Sequence, residues 1–351
     1  DEQYPAALGL VEELFHDAST RDARRVRDVL FQAKAKRLSS VLPQGHTEAA
    51  GHAAATLSRT GSLNEEWHGI PQIQLSERLA DRFDSERESL RRNLGRIHAY
   101  LMEHAALRCS FTGSRGKPED TLRWLRQRFP DNVRGAASGA FDLPFERKCG
   151  RRDGLSMVAD VAYCAQAFPA PDAADSRMPL LRVYSQLLSF DYMWEEIRVK
   201  GGAYGGMSAY DPSNSTFLFL SYRDPHIRRT LEAFRDVRRY TETVAWSGDD
   251  VRRAVIGCAK GDERPVRPGS ATAKSLWRHV TRLSEGLRRQ RREELLSADP
   301  KRVKRAALEM LDAGLGERNV CVLSSREKLN AELEAGDGWT VRPVSSNSSH
   351  A

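Results

Sequence analysis

The chain has 351 residues, with 55 Lys and Arg against 48 Asp and Glu and a formal net charge of +7. Hydrophobic residues make up 40% of the chain and charged residues 29%, which is typical of a folded globular protein and argues against a disordered one. The length predicts two domains, each large enough to bury its own core.

The termini and apolar segments bear on targeting. No apolar stretch approaches the roughly 18 residues that a membrane span needs, so we expect no transmembrane helix and no membrane partner. The N-terminal segment lacks the basic region and apolar core of a signal peptide. The chain also begins without Met, which suggests a processed product or a piece of a longer protein.

The cysteines and arginines favour ordinary structural roles. Five cysteines lie far apart and form no C-x-x-C pair, so we expect buried free thiols in a reducing compartment, either cytoplasm or mitochondrial matrix. Most Arg runs are interleaved with Asp or Glu at helical spacing, as on solvated helix faces. We therefore expect no nucleic-acid partner.

The first part of the chain, residues 1–130, is predicted to be mostly helical. Apolar residues recur at helical spacing over 20–42 and again over 73–104. The apolar run 106–111 predicts one strand, and Pro118, with two acids after it, starts a helix that continues to Phe129. This order is typical of the tail of an α/β domain whose beginning is absent.

Residues 131–152 are rich in Gly, Pro, Asp and Arg and are predicted to be a linker between this part and a second domain over 153–340. A polar tail is expected over 341–351. The elements predicted within the second domain are strands at 155–165, 216–222 and 319–323, and helices at 177–199, 225–243, 248–259, 271–287, 300–312 and 327–334. This mixture predicts an α+β fold with helices packed on one side.

No complete hydrolase motif is present in the sequence. It contains no G-x-S-x-G, no P-loop and no H-E-x-x-H. The nearest approach to a zinc helix is the segment 100–104, in which Tyr100 stands where H-x-x-E-H has its first His. His98 lies six residues before His104, off the shared face that a metal needs. We therefore predict no metal site in this chain.

The segment 198–206, RVKGGAYGG, lies between a long apolar helix and a strand. Its glycines allow the backbone that ends a helix and permit close packing where the strand begins. Taken alone, Arg198 and Tyr204 fit a solvated helix end and a packed strand aromatic. They also fit a pair of donors that hold a substrate carbonyl and stabilise the oxyanion that develops on it.

The segment 193–206, MWEEIRVKGGAYGG, followed by 217–225, resembles the C-terminal half of presequence-protease-type zinc metallopeptidases. These form subfamily C of the insulinase (pitrilysin) family M16. Further stretches agree, at 45–46, 60–67 and 292–297, and the similarity runs with small gaps from about residue 25 to 335. The resemblance implies the tail of a third M16-like α/β domain over 1–130 and a fourth, with a mixed sheet and helices on one side, over 153–340.

The resemblance also implies a division of roles. The zinc, its ligands and the glutamate base of that family come from an H-x-x-E-H helix in the first domain, which this sequence does not contain. The R-x-K-G-x-A-Y pattern assigns Arg198 and Tyr204 as auxiliary catalytic donors, with Gly201, Gly202 and Gly205 shaping the substrate-binding loop. The implied partners are peptide substrates and the N-terminal half of the same protein.

We therefore expect the substrate-binding, metal-free half of a zinc endopeptidase that degrades unfolded peptides in a closed chamber. This chain alone is expected to be inactive. The alternative is a non-catalytic M16-like scaffold or peptide-binding subunit.

Overall fold

A six-stranded mixed sheet organises the second half of the chain in the computed structural model, which describes residues 3–16, 22–104, 107–112, 117–129, 149–333 and 336–345. The strands are β1 (Arg152–Ser156), β2 (Tyr163–Pro169), β3 (Gly205–Asp211), β4 (Thr216–Tyr222), β5 (Asn319–Ser324) and β6 (Thr340–Pro343). Their order in the sheet is β3-β4-β2-β5-β1-β6. Strand β1 runs parallel to β5 and β6, whereas the pairs β2–β4, β2–β5 and β3–β4 are antiparallel.

Helices account for most of the remaining described residues. In the first part of the chain they are α1 (Tyr4–His16), α2 (Ala23–Val41), α3 (Gly45–Ala54), α4 (Arg59–His68), α5 (Ile70–Asp81), α6 (Phe83–His104) and α7 (Lys117–Arg128). The later helices are α8 (Met178–Leu188), a π-helix (Ser189–Val199), α9 (Arg228–Thr243), α10 (Gly248–Asp262), α11 (Pro268–Val280), α12 (Glu285–Leu296), α13 (Pro300–Gly314) and α14 (Arg326–Glu332), with a 3₁₀ turn at Leu315–Glu317. Within the described ranges, no helix combines the length and the apolar character needed to cross a bilayer.

The chain divides into two compact units, and the smaller one consists of residues 1–33, 78–143 and 265–284. In this unit Phe129 is buried, and its ring meets that of Phe15 edge-on at 5.4 Å. An ion pair of 3.0 Å joins Arg128 to Glu12. Aromatic packing therefore ties helix α1 to the end of helix α7.

The larger unit contains the whole sheet, together with residues 34–77. Side chains alternate between the two faces along each strand, so β2 sends Cys164 and Phe168 to one face and Ala165 to the other. The first face is covered by helices α8, α9, α10 and α13 and by the π-helix. The second is covered by helix α3, whose Ala49 and Ala53 are buried against it.

The expected fold class is confirmed, because the strands between residues 152 and 343 form a mixed sheet with helices of the same region against one face. The sequence did not predict helix α3 on the other face. Gly45 opens α3 directly over Tyr163, and a Cβ there would lie 2.5 Å from the ring carbon Cδ2. A glycine therefore allows the helix to approach the sheet closely.

Several predicted elements differ from the structure. The strand expected at 106–111 is wrong, since residues 107–112 have no regular secondary structure. The helix expected over 73–104 is two helices that meet at Arg82, and the strand expected over 155–165 is β1 and β2 separated by a loop. The helix expected over 271–287 ends at Val280.

The predicted linker and tail fall partly outside the described residues. Most of the linker, residues 131–148, lies outside them. The predicted polar tail begins inside β6, which ends at Pro343, and residues 346–351 lie outside the described part of the chain. Three of the five cysteines are buried as expected, but Cys109 is exposed and Cys149 is half-buried.

Candidate functional site

The glycine-rich segment follows a π-helix, Ser189–Val199, which the sequence analysis had treated as α-helix. At its end the backbone N–H of Lys200 donates to the carbonyl of Glu195 at 2.9 Å, the i→i+5 bond of a π-helix. The buried side chain of Ile197 holds this helix in the core below β3. The wider turn therefore ends with Arg198 at the surface of a firmly packed element.

Arg198 and Tyr204 lie side by side and are exposed to solvent. The guanidinium carbon of Arg198 is 4.0 Å from the ring centre of Trp194 and 5.8 Å from that of Tyr204. The Tyr204 side chain is 66% exposed and meets the ring of Tyr222 edge-on at 5.6 Å. The structure thus brings the two predicted donors together, and aromatic contacts orient both of them.

Neither donor is engaged within the described part of the chain. Among those residues, the guanidinium of Arg198 and the hydroxyl of Tyr204 form no hydrogen bond and no ion pair. By contrast, the nearby Lys200 is paired with Glu196 at 2.7 Å. Five guanidinium N–H groups and one phenolic O–H are therefore available to an acceptor on a ligand.

The glycines at this turn have different physical roles. Gly202 has φ +76°, the left-handed conformation that only glycine adopts readily, and a Cβ on Gly201 would collide with the carbonyl oxygen of Ile197. Gly205 has only ordinary van der Waals space around it. The close approach instead falls on Gly206, where a Cβ would lie 2.6 Å from the carbonyl oxygen of Met193.

The structure adds two residues to this surface that the sequence analysis did not assign. Tyr222, at the end of β4, contacts Tyr204, and the ring of His46 meets Tyr222 edge-on at 4.8 Å. Burial lowers the pKa of His46, and among the described residues its buried Nδ1 has no hydrogen-bond partner. The sequence signal was the Gly45–His46 pair, which shared the family resemblance but carried no assigned role.

A second cluster of ionisable residues is buried in the same unit, where helix α3 meets β1. The two ring nitrogens of His52 contact Glu65 Oε1 at 2.7 Å and Asp153 Oδ2 at 2.9 Å. Arg342 Nη2, from β6, donates to the same Asp153 oxygen at 2.7 Å. This network joins three segments that are far apart in sequence.

Its charges explain the pKa shifts. Burial lowers the pKa of His52, but the interaction with Cys321 and the hydrogen bonds to the ring, first of all that to Asp153, outweigh burial, so the net pKa is raised. A carboxylate oxygen lies within hydrogen-bond distance of each ring nitrogen, which favours the imidazolium. Burial raises the pKa of Asp153, but the hydrogen bond from His52 and the charge of Arg342 lower it overall.

His52, Cys149 and Asp153 are residue types that can bind a metal, and they lie close together. Arg342, however, already supplies the positive charge beside Asp153. The cluster is therefore an ion-pair network.

Two family models match the sequence. The model described as PreP C-terminal domain matches residues 156–326, and the model described as associated with subfamily C of peptidase family M16 matches residues 1–79. The chain belongs to subfamily C of the M16 peptidases. Curated relatives of this M16 chain include the mitochondrial presequence proteases of Eremothecium gossypii, 27% identical over 85% of this chain and 31% of the relative, and of Xenopus laevis, 25% identical over 97% and 35%. The M16 chain thus spans about a third of the length of these relatives.

Solved structures support the fold of the M16 chain. Pitrilysin matches with a TM-score of 0.62 and 13% identity, over 98% of this chain and 36% of that chain. A peptidase M16 inactive domain from Pseudomonas fluorescens matches with a TM-score of 0.59 and 14% identity, over 92% and 75%. At these identities the similarity shows the architecture alone.

Proposed function

We propose that this chain is the substrate-binding, metal-free half of an M16-family zinc endopeptidase, and that Arg198 and Tyr204 donate hydrogen bonds to the backbone carbonyl of a bound peptide. The observation that carries the proposal is the pair itself. Both donors are exposed and adjacent, and within the described residues both are unpaired. We also propose that residues 1–130 are the tail of a third M16-like domain and that residues 153–340 are the fourth.

The chemistry of this pair suits an oxyanion that forms during peptide hydrolysis. The guanidinium of Arg198 is planar and offers several hydrogen-bond donors, and Trp194 and Tyr204 limit the directions in which it can point. A preorganised donor that faces developing negative charge lowers the barrier by about 2.7–4 kcal/mol. Gly201 and Gly202 lie in the turn between the two donors and allow its backbone conformation, so the backbone sets their spacing.

Zinc would come from another part of the protein. The sequence has no H-x-x-E-H motif, and we propose that the N-terminal half provides the metal, which would polarise the scissile carbonyl and activate water. The residues of this chain would then orient the peptide across a closed chamber. The curated relatives are named as mitochondrial, and five cysteines without disulfides suit the same kind of reducing compartment.

The test uses the complete gene product that contains this chain and an unfolded fluorogenic peptide. Arg198→Ala and Tyr204→Phe should each lower kcat roughly 100- to 1,000-fold, with circular dichroism unchanged. Lys200→Ala is the matched control, because its charge lies two positions from Arg198 and is already paired with Glu196. Full turnover by the Arg198 and Tyr204 variants would refute the assigned roles.

The second candidate is a non-catalytic M16-like scaffold that binds peptides or a partner chain. The absence of a zinc motif from this sequence is the observation that favours it. If the complete gene product has no intact H-x-x-E-H motif and no peptidase activity, but still binds the peptide through Arg198, the scaffold is the correct function.

A further inference from the structure

A cavity lined by arginines lies in the larger unit, and neither Arg198 nor Tyr204 is among its lining residues. Strands β1 and β5 are parallel neighbours, so both begin at the same end of the sheet. This arrangement brings Arg151 and Arg152 close to Arg318. Helix α9 adds Arg228 and Arg235, which are seven positions apart and therefore share a helix face. The strand order and helix α9 therefore place five arginines around one cavity.

The arginines around this cavity outnumber the acids. Three acids line it against five arginines, which leaves an excess of two positive charges when all eight groups are ionised. Asp337 pairs with Arg152 at 3.2 Å, and Glu332 Oε2 accepts the backbone N–H of Ile227 at 2.6 Å. Among the described residues, Arg235 forms no side-chain hydrogen bond or ion pair.

The crowding of like charges is visible in Arg318. Its pKa is lowered because burial disfavours the guanidinium charge and because Arg152 and Arg235 repel it. Its Nη1 donates to the carbonyl of Leu315 at 2.9 Å, and within the described part of the chain Arg318 forms no ion pair. An anion in the cavity would remove this repulsion.

A buried amide also faces this space. Gln166, in the centre of β2, is 2% exposed and lines the cavity beside its strand partner Val320. Its Nε2 has no hydrogen-bond partner among the described residues. A buried donor without an acceptor is costly, so this N–H₂ group points to a ligand that accepts hydrogen bonds.

We propose that this cavity binds a phosphate-sized oxyanion, held by Arg235, Arg318 and Gln166. The cavity volume is about 200 Å³, room for roughly six or seven waters at about 30 Å³ each and below the ordinary range of drug-sized pockets. A phosphate ion or a phosphoryl group fits this space. The proposal is independent of the peptidase role.

Calorimetric titration of the complete gene product with inorganic phosphate at low ionic strength tests this site. We expect saturable binding that salt weakens. Arg235→Gln should weaken binding roughly tenfold or more, because it removes a charged donor from the oxyanion. The matched control is Arg229→Gln, which removes the same charge from the same helix outside the cavity lining and should leave the affinity unchanged.

Further binding experiments distinguish the possible ligands, and circular dichroism shows whether a variant is folded. Gln166→Leu, checked by circular dichroism, should also weaken phosphate binding. A phosphorylated peptide that binds as tightly as inorganic phosphate assigns the site to phosphoryl groups, and a peptide that fails to bind assigns it to the free ion. The proposal is overturned by the absence of saturable binding, by equal affinities in the Arg235 and Arg229 variants, or by acetate binding as tightly as phosphate.

Discussion

Replacing Asp153 with Asn should destabilise the larger unit severely. Asp153 is 1% exposed and receives hydrogen bonds from two cationic side chains, those of His52 and Arg342. The substitution keeps the size of the side chain but removes its charge, so a buried imidazolium and a guanidinium lose their shared counter-ion. Removing one partner from a buried ion pair costs about 3–5 kcal/mol. That is a large part of the roughly 5–15 kcal/mol by which an ordinary domain is stable.

Urea denaturation followed by tryptophan fluorescence measures this effect, near pH 6 where the His52 interaction is fully present. The matched control is Asp160→Asn, since Asp160 is exposed in the loop between β1 and β2 and, among the described residues, forms no ion pair. The control should change the free energy of unfolding by less than about 0.5 kcal/mol. An Asp153→Asn variant as stable as this control would refute the assignment of the network.

The pH dependence follows from the signs of the two shifts. The pKa of His52 is raised on folding, so its contribution is complete below about pH 6.5 and is lost as pH rises toward the folded-state pKa. The loss is at most about 1.4 kcal/mol per pH unit between the unfolded-state and folded-state pKa values. The pKa of Asp153 is lowered, so its contribution is present above about pH 3.9 and is lost at lower pH. A His52→Gln variant should lack the alkaline decline, and an unchanged decline would contradict this account.

Three smaller predictions concern single side chains. Gly202→Ala should lower the free energy of unfolding by about 1–2 kcal/mol in urea denaturation, because Gly202 has φ +76°, and no loss would show that the turn adapts. Trp194→Ala should lower kcat/KM for the fluorogenic peptide about 2- to 5-fold, since an exposed contact with Arg198 is worth about 0.5–1 kcal/mol, and an unchanged value would separate this ring from activity. Ser247→Ala should cost about 1 kcal/mol in the same denaturation assay, since Ser247 and Asp250 form a complete capping box at helix α10, and a neutral result would show that the cap is dispensable.

Local signals in the sequence predicted the elements that local physics determines. The apolar run 216–222 became β4, covered on both faces, and the helices predicted to start at residues 248 and 300 begin there. Helix α3 was missed because GHTEAAGHAA is composed mainly of small and polar residues, without a strong apolar stripe. Its small residues stabilise the helix only by allowing it to pack closely against the sheet, and this tertiary contact is not visible in the sequence. Strand β6 was missed for a similar reason, since four residues acquire their conformation from pairing with β1.

The residues of the candidate site show the same limit of prediction from sequence. Arg198, Tyr204 and the glycines were found because they form one continuous segment whose pattern matches a family. Tyr222 and His46 reach the same surface from β4 and helix α3, and no spacing rule connects those positions. The π-helix was also unpredictable from apolar spacing, because it continues helix α8 without a break in the pattern.

The pairing of β1 has a consequence for the order of events during synthesis. Its two neighbours in the sheet, β5 and β6, leave the ribosome after β2, β3 and β4, which can associate as soon as residue 222 has emerged. Until β5 emerges, β1 and one side of β2 present unpaired backbone groups, the kind of open edge that recruits other chains. A nascent polypeptide stalled before β5 is therefore the form of this protein that most needs a chaperone.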